Sequence, residues 1–278
     1  MPANKSIKTP AASDGTIADQ GGWGEWLLRQ VWLWHLISYC IVFGIWEIAG
    51  RIPISLAFPT FSAMVMAFIE MISDGSFANA YVSTLPPLVI GVFFVSFGGV
   101  ATGVLMGLSR GVEWTFLSLL VILQTAPVAA VIPLITYAYG IDMASKVVVV
   151  VIMAGPLVIL NSYKGIRNAN PALIQMCRSF QGNLWQEITK VILPQASGMI
   201  FAGLRLGVSA GFIGIVLAEL LITPTGIGDL ITYNRASALY AHMFAAIVSI
   251  IMFSTLTLTA LQRLEHKLFR PEMGTINS

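Results

Sequence analysis

The sequence predicts an all-α polytopic membrane protein with about six transmembrane helices. Of its 278 residues, 56% are hydrophobic and only 10% are charged, whereas a soluble domain carries roughly 25% charged residues. Long charge-free runs recur along the chain, and they exceed the roughly 11 residues of a membrane β-barrel strand. A net charge of +2 and two cysteines exclude a nucleic-acid-binding protein and a disulfide scaffold.

Six apolar runs are the predicted transmembrane helices, since about 20 apolar residues cross a hydrocarbon core of about 30 Å. They are 30–46, 85–108, 114–141, 147–163, 194–221 and 236–262. The fourth run is short unless it extends past Lys146 or Lys164, whose side chains can snorkel. The predicted domains are a flexible tail over 1–29, a membrane domain over 30–264 and a second tail over 265–278.

The basic residues predict the orientation of these helices. With both termini inside, inner segments hold 11 of the 15 lysines and arginines, and outer segments hold only Arg51, Lys146 and Arg235. The positive-inside rule therefore places both termini in the cytoplasm.

The segment 164–193 is the only long inner loop. Asn170 and Pro171 are typical of a helix start, Gly182 of a helix end, and Asn183 with Gln186 of a second start. Pro194 then opens the fifth span. An apolar stripe follows the first short helix at Leu173, Cys177, Phe180 and Leu184, opposite the polar Gln175, Arg178 and Gln181. Such a loop either lies on the membrane surface or docks on another protein, and its weakly basic polar face favours docking.

Two outer segments complete the chain. In the first, 53–80, Phe58-Pro59-Thr60 opens a helix with an apolar face. The second, 221–233, contains Thr223-Pro224-Thr225-Gly226-Ile227-Gly228 and is predicted to be a loop.

Two glycine triplets lie within the predicted spans at intervals of four residues, which lets helix backbones approach closely. They are Gly99, Gly103 and Gly107 in the second span, and Gly203, Gly207 and Gly211 in the fifth. Arg205 is the one basic residue deep in a span and is a candidate for attracting an anionic solute. The alternative, which its position near the inner end of the helix favours, is snorkelling or a local ion pair.

No chemistry-bearing motif points to an enzyme. Two G-x-S-x-G matches lie in or beside membrane helices, where that pattern has no nucleophile elbow. The three histidines are isolated, so no metal site is expected, and no phosphate-binding G-x-x-x-x-G-K-[ST] loop exists. The chain therefore lacks that route to ATP, and no cofactor is expected in it.

The loop sequence resembles the "EAA" coupling loop of binding-protein-dependent ABC importer permeases. The residues that carry this resemblance are Pro171, Leu173, Gln175, Met176, Cys177, Arg178, Ser179, Phe180, Gln181, Gly182 and Pro194. Further motifs are similar to the nitrate, sulfonate and taurine branch of that family. They include Ile45–Ala49, Phe58–Thr60, Gly107–Arg110, Ala126-Pro127, Ile132-Pro133, Ala202–Leu206, Ala218-Glu219 and Gly226–Gly228.

The loop departs from the family pattern at four positions. Gln175, Met176 and Cys177 stand where the family has Glu-Ala-Ala, and Gln181 stands at the motif glycine, with Gly182 one residue later. These departures suggest a docking partner adapted to this chain.

The resemblance implies a type I importer permease fold in the bacterial cytoplasmic (inner) membrane. It implies a permease subunit without enzymatic activity, which pairs with a second copy and docks on a dimer of ATPase subunits that bind ATP and Mg. An extracytoplasmic binding protein would deliver a small solute, such as an organic or inorganic anion. The alternative is a stand-alone secondary transporter or channel, although the spans hold almost none of the acidic and histidine relays that such proteins use.

Overall fold

The computed structural model describes residues 31–52, 57–222 and 224–269, and every regular element in these ranges is helical. The α-helices are α1 Val31–Arg51, α2 Phe61–Ser73, α3 Ser76–Phe94, α4 Val100–Leu108, α5 Arg110–Thr125, α6 Val128–Tyr139, α7 Met143–Arg167, α8 Pro171–Ser179, α9 Leu184–Gln186, α10 Leu193–Leu221, α11 Ile227–Ala236 and α12 Tyr240–Phe269. Two π-helical segments, Val95–Gly99 and Glu187–Ile192, join α3 to α4 and α9 to α10. The predicted tail 1–29 and the last nine residues, 270–278, lie outside the described ranges.

Five helical stretches of the described chain are long and apolar enough to cross a membrane, or six if one bent pair forms a single span. The five are Trp32–Arg51, Ser76–Leu108, Met143–Arg167, Leu184–Leu221 and Tyr240–Glu265. The all-α, polytopic fold class is thus confirmed.

The second span begins at Ser76 rather than at the predicted residue 85. Pro86 and Pro87 lie inside the helix instead of at its start. The helix starts where Gly75 adopts a left-handed φ of 78° and Asp74 accepts a hydrogen bond from the Ser76 amide at 2.8 Å. This bond to the charged carboxylate holds the pKa of Asp74 below its ordinary value.

The predicted third span, 114–141, is wrong as a single helix. It consists of α5 and α6, which meet at an angle of 105°. Ala126 is extended, with φ −64° and ψ 136°, because the ring of Pro127 disfavours the helical conformation of the residue before it.

The fourth span includes both lysines, which gives it the length that the charge-free run lacked. Lys164 is exposed, but Lys146 is buried and does not snorkel as expected. Lys146 thus belongs to the fourth helix rather than to the segment before it, and it pairs with Glu219 inside the helix bundle.

The fifth span begins ten residues before Pro194, at Leu184. Pro194 therefore does not open it, although it does stand in the first turn of α10. The Leu193 amide donates to the carbonyl of Ile188, five residues back, which closes the π-helical segment directly before the proline. A proline at the start of the next α-helical turn removes no essential hydrogen bond, so the helix continues through it.

The predicted outer loop 221–233 is partly wrong, because α11 begins at Ile227. Four described residues between α10 and α11 are non-helical, namely Ile222, Pro224, Thr225 and Gly226. The first outer segment does open a helix, since the Thr60 side chain caps α2 by accepting from the Ala63 amide at 3.2 Å.

Helix α7 lies at the centre of the bundle, and both glycine triplets pack against it. A Cβ on Gly103 would lie 2.6 Å from the Ile159 carbonyl oxygen, and one on Gly203 would lie 2.7 Å from the Asn161 Cβ. A Cβ on Gly107 would be as close to Ile166 and one on Gly207 as close to Val158, whereas a Cβ on Gly99 would be in looser contact with Val158, at 3.3 Å, and one on Gly211 in ordinary contact with Val150, at 3.5 Å. The absence of side chains at these positions thus sets the separation of α7 from α4 and α10.

Candidate functional site

The 164–193 loop folds into two short helices with the predicted caps. Asn170 caps α8 by accepting from the Ala172 amide at 2.9 Å, and Pro171 occupies the first turn. Asn183 and Gln186 form a reciprocal capping box at the start of α9, with hydrogen bonds of 2.8 and 3.0 Å. These local bonds fix where both short helices begin.

The left-handed residue that ends helix α8 is Gln181, one residue before Gly182, which the sequence predicted as the helix end. Gln181 adopts the left-handed conformation, with φ 56°, while the Gly182 amide donates to the Cys177 carbonyl at 3.0 Å. The Gln181 amide donates to Arg178 at 2.9 Å, which completes a Schellman motif. The family pattern has glycine at this left-handed position, where glycine fits without steric strain. Gln181 adopts the same conformation with strain.

Gly182 is needed for a different reason, which is space. A Cβ on this residue would lie 2.6 Å from the Cys177 sulfur and 2.9 Å from the Cys177 carbonyl oxygen. Cys177 is accordingly half-buried under the turn.

The loop exposes an apolar patch that differs slightly from the predicted stripe. Leu173, Phe180 and Leu184 are exposed as expected, but Met176 rather than Cys177 stands between them, and Trp185 extends the patch. Phe180 is 80% exposed and Trp185 is 72% exposed. Exposed aromatic side chains in such a contiguous group are typical of a docking surface.

Arg178 forms a two-point ion pair with Glu187 across the turn. Its Nε and Nη2 each lie 2.9 Å from a different carboxylate oxygen. Glu187 is buried, whereas Arg178 remains largely solvent-exposed, and hydrogen bonding to the carboxylate raises the pKa of Arg178. The sequence placed Arg178 on a polar face but gave no partner for it.

A second polar group, which we call the Glu219 cluster, lies at the other end of α7. The Glu219 carboxylate is fully buried; its Oε1 accepts from Lys146 Nζ at 3.0 Å and its Oε2 from the Gly228 amide at 3.0 Å. The Thr84 hydroxyl lies 2.9 and 3.0 Å from the two oxygens. Lys146 Nζ also donates to Thr225 Oγ1 at 3.0 Å. The buried charges are therefore paired and hydrogen-bonded, as burial requires.

The cluster ties four helices and one loop together. Glu219 belongs to α10, Lys146 to α7, Thr84 to α3 and Gly228 to α11. The Glu219 carboxylate occupies the space where a side chain of Gly226 would lie, and Gly226 has a φ of 91° that only glycine adopts readily. This group was not predicted from the sequence. The available indication was a pair of opposite charges, one at the matching end of each of two spans.

Arg205 pairs with Glu265 of α12, with Nη1 3.3 Å from Oε2. This agrees with the local ion pair that the sequence offered as the alternative to solute binding. Among the described residues, no three His, Cys, Asp or Glu side chains come close enough to hold a metal ion.

The fold and its spans define a polytopic, all-helical membrane protein. The chain is similar in fold to a chain of the MetNI methionine ABC transporter, solved in inward-facing conformations. The TM-score is 0.60 and the identity 17%, over 70% of this chain and 96% of that chain.

The chain belongs to the family of binding-protein-dependent transport system inner membrane components, whose model matches residues 99–270. It is 29% identical to a putative aliphatic sulfonates transport permease of Bacillus subtilis, over 87% of this chain and 88% of that protein. It is 26% identical to the taurine transport system permease of Escherichia coli, over 68% of this chain and 70% of that protein. The chain is thus an integral inner-membrane permease of the ABC importer class.

Proposed function

We propose that this chain forms the translocation pathway of an importer driven by a separate ATPase, with the α8–α9 patch docked on that ATPase. The observation that carries the proposal is the exposed group Leu173, Met176, Phe180, Leu184 and Trp185. Leu184 and Trp185 lie at the start of the helical stretch Leu184–Leu221, and the other three residues lie on α8 or directly after it. A partner that moves this patch would therefore move a transmembrane helix.

The remaining parts of the proposal concern the assembly. Two copies form the pathway, two ATPase subunits bind ATP and Mg, and an extracytoplasmic binding protein delivers the solute. The family membership and the fold support this arrangement in general. The basic-residue asymmetry supports cytoplasmic termini and a cytoplasmic 164–193 loop.

The proposed solute is a small anion of the sulfonate, taurine or nitrate type. The sulfonate and taurine permeases among the relatives support this class. Arg205 does not serve as its ligand in this proposal, because Glu265 already neutralises it.

Uptake in proteoliposomes tests the energy source. The chain alone should neither hydrolyse ATP nor accumulate solute, and addition of the cognate ATPase and binding protein should produce ATP-dependent uptake. Uptake by the chain alone under an ion gradient would instead support the alternative, a secondary transporter. The Glu219 cluster would then be the first candidate for ion coupling, since it is buried and ionisable.

Thiol labelling tests the docking surface. In a variant with both native cysteines replaced by serine, Met176→Cys should react with a charged thiol reagent in the isolated chain. Bound ATPase should protect it. Lys190→Cys, at an exposed position outside the patch, is the matched control and should label in both states. Equal labelling of Met176→Cys with and without the ATPase would indicate a membrane-surface helix instead.

A further inference from the structure

Helix α8 is attached to the start of the long helix at both of its ends. At the beginning of α8, the Asn170 amide donates to Gln195 Oε1 at 2.8 Å. At its end, Arg178 holds Glu187 through two hydrogen bonds of 2.9 Å. Between these points, Ile174 packs against a cluster that includes Ile192.

The two attachments have matching spacing. Asn170 and Arg178 are eight residues apart on one helix, and Glu187 and Gln195 are eight apart on the other. At 1.5 Å per residue of α-helix, Asn170 and Arg178 lie about 12 Å apart along α8; Glu187 and Gln195 are joined by the π-helical segment Glu187–Ile192 and the first turn of α10. Because the first point of one helix meets the last point of the other, the helices run antiparallel and the Schellman turn and capping box close one end of the hairpin.

The two attachments differ in chemistry and strength. The Asn170–Gln195 bond joins a neutral amide and a neutral carbonyl oxygen at an exposed position. The Arg178–Glu187 pair is charged and bidentate, and the Glu187 side chain is 9% exposed. Charge-assisted bidentate pairs are the stronger and more directional of the two kinds. The attachment nearer to the exposed Phe180 and Trp185 is therefore the more rigid one.

We propose that Arg178 and Glu187 are positioning residues for energy coupling in this chain. Their ion pair fixes α8 at a constant angle to the Leu184–Leu221 helix, so displacement of the patch passes to the membrane span as a rigid-body motion. This inference rests on the proposed function, because it assumes that the ATPase displaces the patch. It adds a specific pair of residues, one on each side of the turn, that transmits the motion.

Hydrogen exchange of the isolated chain in lipid nanodiscs tests the attachment without the ATPase. Glu187→Gln should increase exchange at the α8 amides at least tenfold, and so should Arg178→Gln. The double variant Arg178→Glu with Glu187→Arg should return exchange toward the wild-type rate. Lys190→Gln is the control, since it removes an exposed charge from the same π-helical segment. Unchanged exchange in Glu187→Gln would overturn the inference.

The reconstituted transporter tests the coupling. The readout is solute imported per ATP hydrolysed, which a loss of folded protein alone does not change. We expect this ratio to fall at least tenfold in Glu187→Gln and to recover in the charge-swapped variant. If uptake and hydrolysis fall together at a constant ratio, the pair only supports folding and the inference is refuted. Uptake without any ATPase would refute the proposed function instead. The hydrogen-exchange experiment would still show whether the ion pair holds α8 in place.

Discussion

Replacing Glu219 with leucine removes the acceptor that neutralises a buried lysine. Lys146 is 4% exposed and lies 3.0 Å from Glu219 Oε1, so the substitution leaves its charge inside the bundle without a counter-ion. Breaking a buried ion pair in this way costs about 3–5 kcal/mol. The Gly228 amide also loses its acceptor, at about 1–3 kcal/mol for a buried group left unpaired, whereas the Thr84 hydroxyl can still donate to the Ala80 carbonyl at 3.1 Å.

The converse substitution should cost less. In Lys146→Met, the Glu219 carboxylate keeps the Gly228 amide and the Thr84 hydroxyl as donors. The double variant Lys146→Met with Glu219→Leu removes both charges and should be more stable than Glu219→Leu alone, because no uncompensated charge remains. The three variants form a double-mutant cycle whose interaction energy should reach about 3 kcal/mol, the upper part of the range for contacting residues.

Titration with sodium dodecyl sulfate in mixed micelles measures the free energy of unfolding of each variant. Lys164→Gln is the control, because it alters an exposed lysine of the same helix and should change stability by less than about 0.5 kcal/mol. If Glu219→Leu and Lys146→Met each cost less than about 1 kcal/mol and their effects add, the buried pair does not hold the helices together. The stabilising role assigned to the cluster would then be refuted.

Three further predictions concern other parts of the chain. Gly103→Ala should lower the free energy of unfolding by about 1–3 kcal/mol through overpacking, whereas Gly98→Ala, which has no atom within 4 Å of the added carbon, should not. Gln181→Gly should relieve about 1–2 kcal/mol of left-handed strain, partly offset by greater freedom of the unfolded chain; slower hydrogen exchange in α8 would show it, and faster exchange would contradict it. Reporter fusions after Ser76 and Asn168 should report opposite sides of the membrane, and the same side for both would refute the proposed topology.

The sequence predicted those features that depend on local composition and spacing. Apolar runs placed the membrane helices, and Asn170 and Asn183 placed the starts of α8 and α9, because capping depends on residues within one turn. The bend at Ala126 was missed although Pro127 signals it, since the apolar run continues unbroken across the proline.

Contacts between distant residues could not be read from the same signals. Lys146 and Glu219 are 73 residues apart, and each was read as the charged boundary of its own span. Charge patterning along one helix does not reveal a partner on another, so the buried pair required the packing of α7 against α10. The same applies to Arg178 and Glu187, whose pairing depends on the turn that Gln181 completes.

The central position of α7 has a consequence for the evolution of this chain. Val158 lies where side chains of Gly99 and Gly207, which belong to two different helical segments, would extend. Val150 lies in the same way beside Gly91 and Gly211. A larger side chain at either valine would require compensation on two helices at once, which a single mutation cannot provide. Among homologues, these two positions should therefore vary more slowly than the α7 positions that face a single glycine, such as Asn161 and Ile166.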